Sequence, residues 1–206
     1  MDLPSAARRT LVSATEPRQV LLFSGHRIDE PGRSPPRFSP SMQAAAKQRL
    51  AAELTRLHAG PADLALCQAA AGGDLLFLEC CHALGVRCSV LLPFGEAQFI
   101  EQSILSSIDG ADWLGRWVVL KTSLIEPPRE MPAELGPTPD GSDPYERCNQ
   151  WLLDTALAHG PDKVRLLCLW NGLDGDGPGG VQHMVAQARR RGGEVRWIDT
   201  RTLVRE

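Results

Sequence analysis

Along the chain, short apolar runs alternate with segments of helical spacing. Val20 to Phe23 is a continuous apolar run, as in a strand buried on both faces, and Ser24-Gly25-His26-Arg27 ends it in a glycine turn. Four prolines and Gly32 make residues 29–41 a loop. Ala44, Ala45, Leu50, Leu54 and Leu57 recur near helical spacing and predict a helix over 42–58 with Ser41 as its cap. The unit then recurs: a strand over 62–69 ending near Gln68, a small-residue turn at Ala70-Ala71-Gly72-Gly73, Asp74 where an N-cap belongs, and an apolar helix over 75–84 stopped by Gly85. A third strand, 86–93, ends at Pro93. The pattern continues with a helix over 95–108, a short strand candidate at 117–120 (Trp-Val-Val-Leu) and a long loop or flap at 121–144 holding six prolines. It closes with a helix over 145–159, a strand over 163–170, a helix after Gly180 and a strand over 194–200.

Short apolar strands separated by crossovers long enough to hold helices predict an α/β fold. It is a Rossmann-like three-layer sandwich with a mainly parallel sheet and helices on both faces. Residues 1–17 are polar and irregular, an N-terminal extension or linker. Residues 18–206 are expected to form a single Rossmann-like domain with the Pro-rich loop 121–144 as its flap.

Composition narrows the function classes. The 206 residues are 43% hydrophobic and 23% charged, with a net charge of -3, so there is no basic field of the kind that attracts nucleic acid. No apolar run reaches the roughly 20 residues that span a bilayer, and the first residues lack an apolar signal core, which points to the cytoplasm. The six cysteines lie mostly in apolar segments without a CxxC pair and read as buried small hydrophobes, with no metal site expected.

In a parallel sheet, ligands bind beyond the carboxyl ends of the strands, where this chain keeps its unusual residues. Ser24, Gly25, His26 and Arg27 follow the first strand, Gln68, Gly72, Gly73 and Asp74 the second, and Pro93 and Glu96 the third. After the strand at 163–170 come Asn171 and a stretch with five glycines, Gly172 to Gly180, running into a helix at Val181. A glycine-rich helix start can bring unpaired N–H groups and the positive end of a dipole against an anion. Gly72-Gly73 and Gly179-Gly180 each precede a helix, and the expectation is a phosphate-bearing ligand such as a nucleotide. Arg27 is placed to add a bidentate contact. Asp74, Glu96 and His26 are the candidates for general acid or base. Each feature also has a structural reading: Gly72-Gly73 as a close-packing turn, Asp74 as a cap, His26-Arg27 as an ordinary loop pair, His183 as solvated. An EF-hand is excluded by Val185 or Gln187 where the closing glutamate belongs. The GxGxxG fingerprint is missing after the first strand, and the chain has no Gly-Lys-Ser or Gly-Lys-Thr.

The motifs SGHRID, QAAAGGDLLFLE, VLLPF and LWNGLDGDGPGGVQHMVAQARRRGGEVRWID resemble the SLOG superfamily, which includes the DNA-processing protein Smf and the Lonely Guy phosphoribohydrolases. They are most similar to its bacterial signalling-associated branch. The resemblance implies a nucleotide or nucleotide-derived ligand at the strand ends, with the phosphate-binding turn on Gly177, Pro178, Gly179, Gly180 and Val181. It also implies a dimer and signalling partner domains. The hydrolase branch carries a Gly-Thr pair and a glutamate after its Pro-Gly-Gly; here Gln182-His183-Met184-Val185 follow. The expectation is therefore a sensor or adaptor domain with no required cofactor and a nucleotide-type ligand. The alternative is a nucleotide N-glycosidic hydrolase or transferase, and a purely structural interaction module stands behind both.

Overall fold

A computed structural model describes residues 16–173 and 180–203. Six strands form one all-parallel sheet: β1 (Val20–Gly25), β2 (Leu64–Cys67), β3 (Arg87–Leu92), β4 (Arg129–Glu130), β5 (Val164–Trp170) and β6 (Glu194–Asp199). Their spatial order is β4-β3-β2-β1-β5-β6. The chain therefore steps outward from β1 to one side, then returns to lay β5 against the other side of β1. Strand order reverses between β1 and β5, so the connections that leave their carboxyl ends run to opposite faces of the sheet, toward α1 (Gln43–Arg56) and α7 (Val181–Arg190). Register places Gly25, the last residue of β1, opposite Leu169 of β5.

Alternation along the strands builds a core on each face. Leu21, Phe23, Leu167 and Leu169 point to one side, where α1 (Gln43–Arg56), α2 (Gly73–Ala83), α3 (Glu96–Ile100) and α4 (Gly110–Lys121) pack. Val20, Leu22, Leu166 and Cys168 point to the other, against α5 (Met131–Leu135), α6 (Pro144–Leu157) and α7 (Val181–Arg190). This is the three-layer α/β sandwich that the apolar pattern predicts. All six cysteines are free thiols, five of them buried. Among the described residues no helix is long and apolar enough to cross a membrane.

Four local expectations are corrected. The Trp-Val-Val-Leu run at 117–120 is not a strand but the end of α4, because Trp113, Trp117 and Leu120 fall on one helical face and are buried together. Ser41 does not cap α1; it sits in a short 3-10 turn, Pro40–Met42, with its Oγ 2.8 Å from that of Ser39. The helix expected over 95–108 is α3 followed by one π-helical turn at Glu101–Leu105, and Asp109 in the left-handed region ends that segment. The proline-rich 121–144 segment is not wholly irregular: it contributes β4 to the sheet edge and then α5, which buries Met131.

The helical assignment of 117–120 separates two neighbouring side chains. Trp117 is fully buried and donates its indole N–H to Glu96 at 3.0 Å, whereas Val119 is 71% exposed. Trp117→Ala should cost about 3–5 kcal/mol of unfolding free energy. Val119→Gln should change it by less than about 0.5 kcal/mol. Chemical denaturation of both variants checks this; a large loss in each would be the mark of a buried strand.

Candidate functional site

The loops after β1 and β2 are fastened to each other by backbone alone. Ile28 N–H donates to Ala71 O at 2.9 Å, and Gly73 N–H donates to His26 O at 3.1 Å, with Arg27 and Gly72 bridged antiparallel. Contact this close requires glycine. Gly72 has φ +111°, and a Cβ there would stand 2.3 Å from Ile28 N. Gly73 thus gives its amide to His26 O. The π-helical turn backs both loops: Ser103 O accepts from Ala71 N–H at 2.9 Å, and Gln102 O accepts from Arg27 Nη1 at 2.6 Å. Arg27 Nη2 donates to Glu30 at 2.6 Å, so the guanidinium braces the β1 loop.

The end of β5 is tied to the same loop. His26 N–H donates to Leu169 O at 2.8 Å, and Asn171 N–H donates to His26 Nε2 at 3.3 Å. An amide can only donate, so Nε2 carries the lone pair and the ring proton sits on Nδ1. Burial holds the His26 pKa below its ordinary value. Beyond Asn171 the turn is held by its Oδ1, which accepts from Leu173 N–H at 3.1 Å, and by Trp170 Nε1, which donates to Leu173 O at 2.7 Å.

Between these loops and the start of α7 lies a cleft of about 150 Å³. Seven of the residues singled out from the sequence line it: Ser24, Gly25, Arg27, Gln68, Asp74, Gly180 and Val181. Gly180 is the N-cap of α7, and among the described residues no side chain hydrogen-bonds to cap that helix. Gly180 and Val181 line the cleft, so the positive end of the α7 dipole lies at its wall. Gln68 donates to Asn149 Oδ1 at 2.7 Å.

Asp74 does not cap α2, whose N-cap is Gly72. Its carboxylate turns back and accepts from Ala70 N–H at 3.1 Å, and the residue is only 8% exposed. Burial pushes its pKa up to about 7, against the pull of the Ala70, Ala69 and Gln68 amides and the Arg27 charge. Near neutral pH this carboxyl therefore exists in both forms, and can accept a hydrogen bond or donate a proton inside the cleft.

The remaining candidates lie off the cleft wall. His26, Gly72, Gly73 and Asn171 form the scaffold just described. Pro93 is buried at the end of β3 and does not line the cleft. Glu96 lines a different hollow beside α4, where its carboxylate accepts from Trp117 Nε1 at 3.0 Å and Lys121 Nζ at 2.6 Å. Gly177, Pro178 and Gly179 lie outside the described residues. Four lining residues were not among the sequence candidates: Phe23, Ala70, and Tyr145 and Asn149 of α6. Tyr145 joins its hydroxyl to Ser103 Oγ at 2.8 Å and meets Phe94 edge-on at 5.5 Å. The signal available for it was modest: the chain's one tyrosine, set directly after the proline that opens a helix.

Among known proteins, the chain matches no family model and no curated protein.

Two outcomes follow. Gly72→Ala should destabilise the fold by at least about 2 kcal/mol, through positive-φ strain and loss of the loop-to-loop contact, read from a denaturation midpoint. Asp74 governs a pH dependence. The native carboxyl holds its proton up to about 7, while the unfolded one titrates near the ordinary aspartate value of 3.8. Between those values the unfolded chain binds fewer protons than the native one, so wild-type stability falls as pH rises through that window. Asp74→Asn removes this loss, and its melting temperature should gain on wild type by about 4 °C or more between pH 4 and pH 8. Parallel curves for the two proteins would contradict the buried carboxyl.

Proposed function

We propose that the chain is a ligand-binding domain of the SLOG type, a sensor or adaptor that takes a nucleotide or nucleotide-derived molecule at the carboxyl ends of β1, β2 and β5. One observation carries the reading. Residues from four separate parts of the sequence line a single cleft at the point where strand order reverses, with an uncapped helix start on one wall. Phosphate against the amides of Gly180 and Val181 is the interaction such a wall favours. Ser24, Gln68 and Asp74 supply polar groups along the cleft that a sugar would meet. A cytoplasmic location, a dimer and signalling partner domains belong to the same reading.

A second reading, hydrolysis of an N-glycosidic bond, has one observation in its favour. Asp74, titrating near neutrality inside the cleft, is suited to protonate a leaving base. Of the other two acid–base candidates, Glu96 is held in an ion pair with Lys121, and His26 offers its free lone pair to Asn171 N–H. Release of free base from nucleoside monophosphates, abolished in Asp74→Asn, would establish turnover. No release with retained binding is what a sensor requires.

The binding reading is tested by a melting-shift screen over mono-, di- and cyclic nucleotides, NAD and ADP-ribose. At least one should raise the melting temperature of wild type, and Gly180→Glu, which puts a carboxylate at the mouth of the helix dipole, should abolish that rise. Equal stabilisation of wild type and Gly180→Glu would remove the site.

A further inference from the structure

A second hollow, about 670 Å³, lies between α6, the segment leading into it and α7. It continues from the cleft: Asn149 lines both, and the first turns of α7 supply Gly180 and Val181 to one and His183 and Met184 to the other. The two hollows differ in scale. Ligand sites commonly enclose about 300–1,000 Å³, so the 150 Å³ cleft is sized for one end of a nucleotide and the neighbouring hollow for the rest.

The polar side chains around the second hollow are mostly engaged. Arg147 donates to the carbonyls of Leu135, Gly136 and Pro137. Asp143 accepts from Tyr145 N–H, and Gln150 donates to Asp154. Glu146 is the exception among the charged ones. Among the described residues its one ionisable partner within 4 Å is the His183 ring, 3.8 Å away and beyond hydrogen-bond length, and that ring's Nε2 is already 2.9 Å from Gln187. The carboxylate is 38% exposed at the edge of the hollow, over a wall that includes Leu153 and Met184. A carboxylate without a donor beside an apolar wall with a thioether fits a flat ring whose edge presents adjacent N–H donors.

We propose that this hollow is a base subsite selecting a guanine-type edge, with Glu146 accepting from the ring N–H and the neighbouring amino group. The proposal rests on the nucleotide reading above and names the ligand class for it. Adenine presents an amino donor beside a ring-nitrogen acceptor, and that lone pair faces the carboxylate unfavourably. Guanine presents two donors in the spacing of the two carboxylate oxygens.

Titration calorimetry of the full chain with GMP, AMP and ribose 5-phosphate tests it, with Glu146→Gln beside wild type. GMP should bind about tenfold or more tightly than AMP, the discrimination expected of one bidentate contact. Glu146→Gln should remove that preference and leave ribose 5-phosphate binding unchanged; as Glu146 is partly exposed, an unaltered melting temperature will show the variant is folded. Equal binding of GMP and AMP by wild type, or a preference that survives in Glu146→Gln, overturns the base subsite. If ribose 5-phosphate binds while neither purine improves on it, the base subsite fails and the phosphate site stands. If none of the three binds, both fail.

Discussion

The site depends on the backbone strap between the loops that leave β1 and β2. Two amide-to-carbonyl bonds, Ile28 to Ala71 and Gly73 to His26, close over Gly72, where no side chain fits. From this strap the rest is positioned. It presents His26 to the end of β5, directs Arg27 onto the π-helical turn, and starts α2 so that Asp74 is buried facing the crevice. A parallel sheet whose order reverses sends the loops from two neighbouring strand ends to opposite faces; the strap shapes one wall of the space beyond those ends, and α7 the other.

The wall chemistry follows from where charge is allowed. The start of α7 carries partial positive charge and no described side-chain cap, while the opposite wall buries a carboxyl that burial has made reluctant to ionise. An ionised Asp74 would repel an anion at Gly180; a protonated one would not, and would add a donor. For the phosphate-bearing ligand proposed above, the cleft is thus most hospitable at and below neutral pH. Arg27, the cation nearest to hand, stabilises the loop framework through Gln102 and Glu30.

Much of this was legible in the sequence for one physical reason. Strands buried on both faces must be largely apolar, so β1, β2 and β5 stand out, and the loops that follow them mark the strand ends where ligands bind. What was missed depended on packing and on contacts that residue type alone does not settle. Trp117 to Leu120 reads as a strand until Trp113, one turn earlier, is seen on the same face. Gly72-Gly73 reads equally well as an anion cradle or a packing turn, and only the distance to Ile28 shows how tightly the turn is packed. Asp74 has the composition of a cap, but its carboxylate finds Ala70, four residues back, instead of the helix start. Tyr145 and Asn149 reach the cleft from a helix on the far face of the sheet, which no local pattern reveals. Glu96 looked like part of the rim because it follows β3, yet α4 draws it into an ion pair elsewhere.

The central claim is that a phosphate-bearing molecule enters the crevice between β1 and β5 and meets the start of α7. Amide chemical-shift mapping of the isotope-labelled chain during titration with ribose 5-phosphate tests it most directly. The account predicts that the largest changes fall on Gly25, Gly180 and Val181 and on residues 68–74, with the outer face of α4 unmoved. Saturable changes confined to other surfaces, with those amides still, would contradict it.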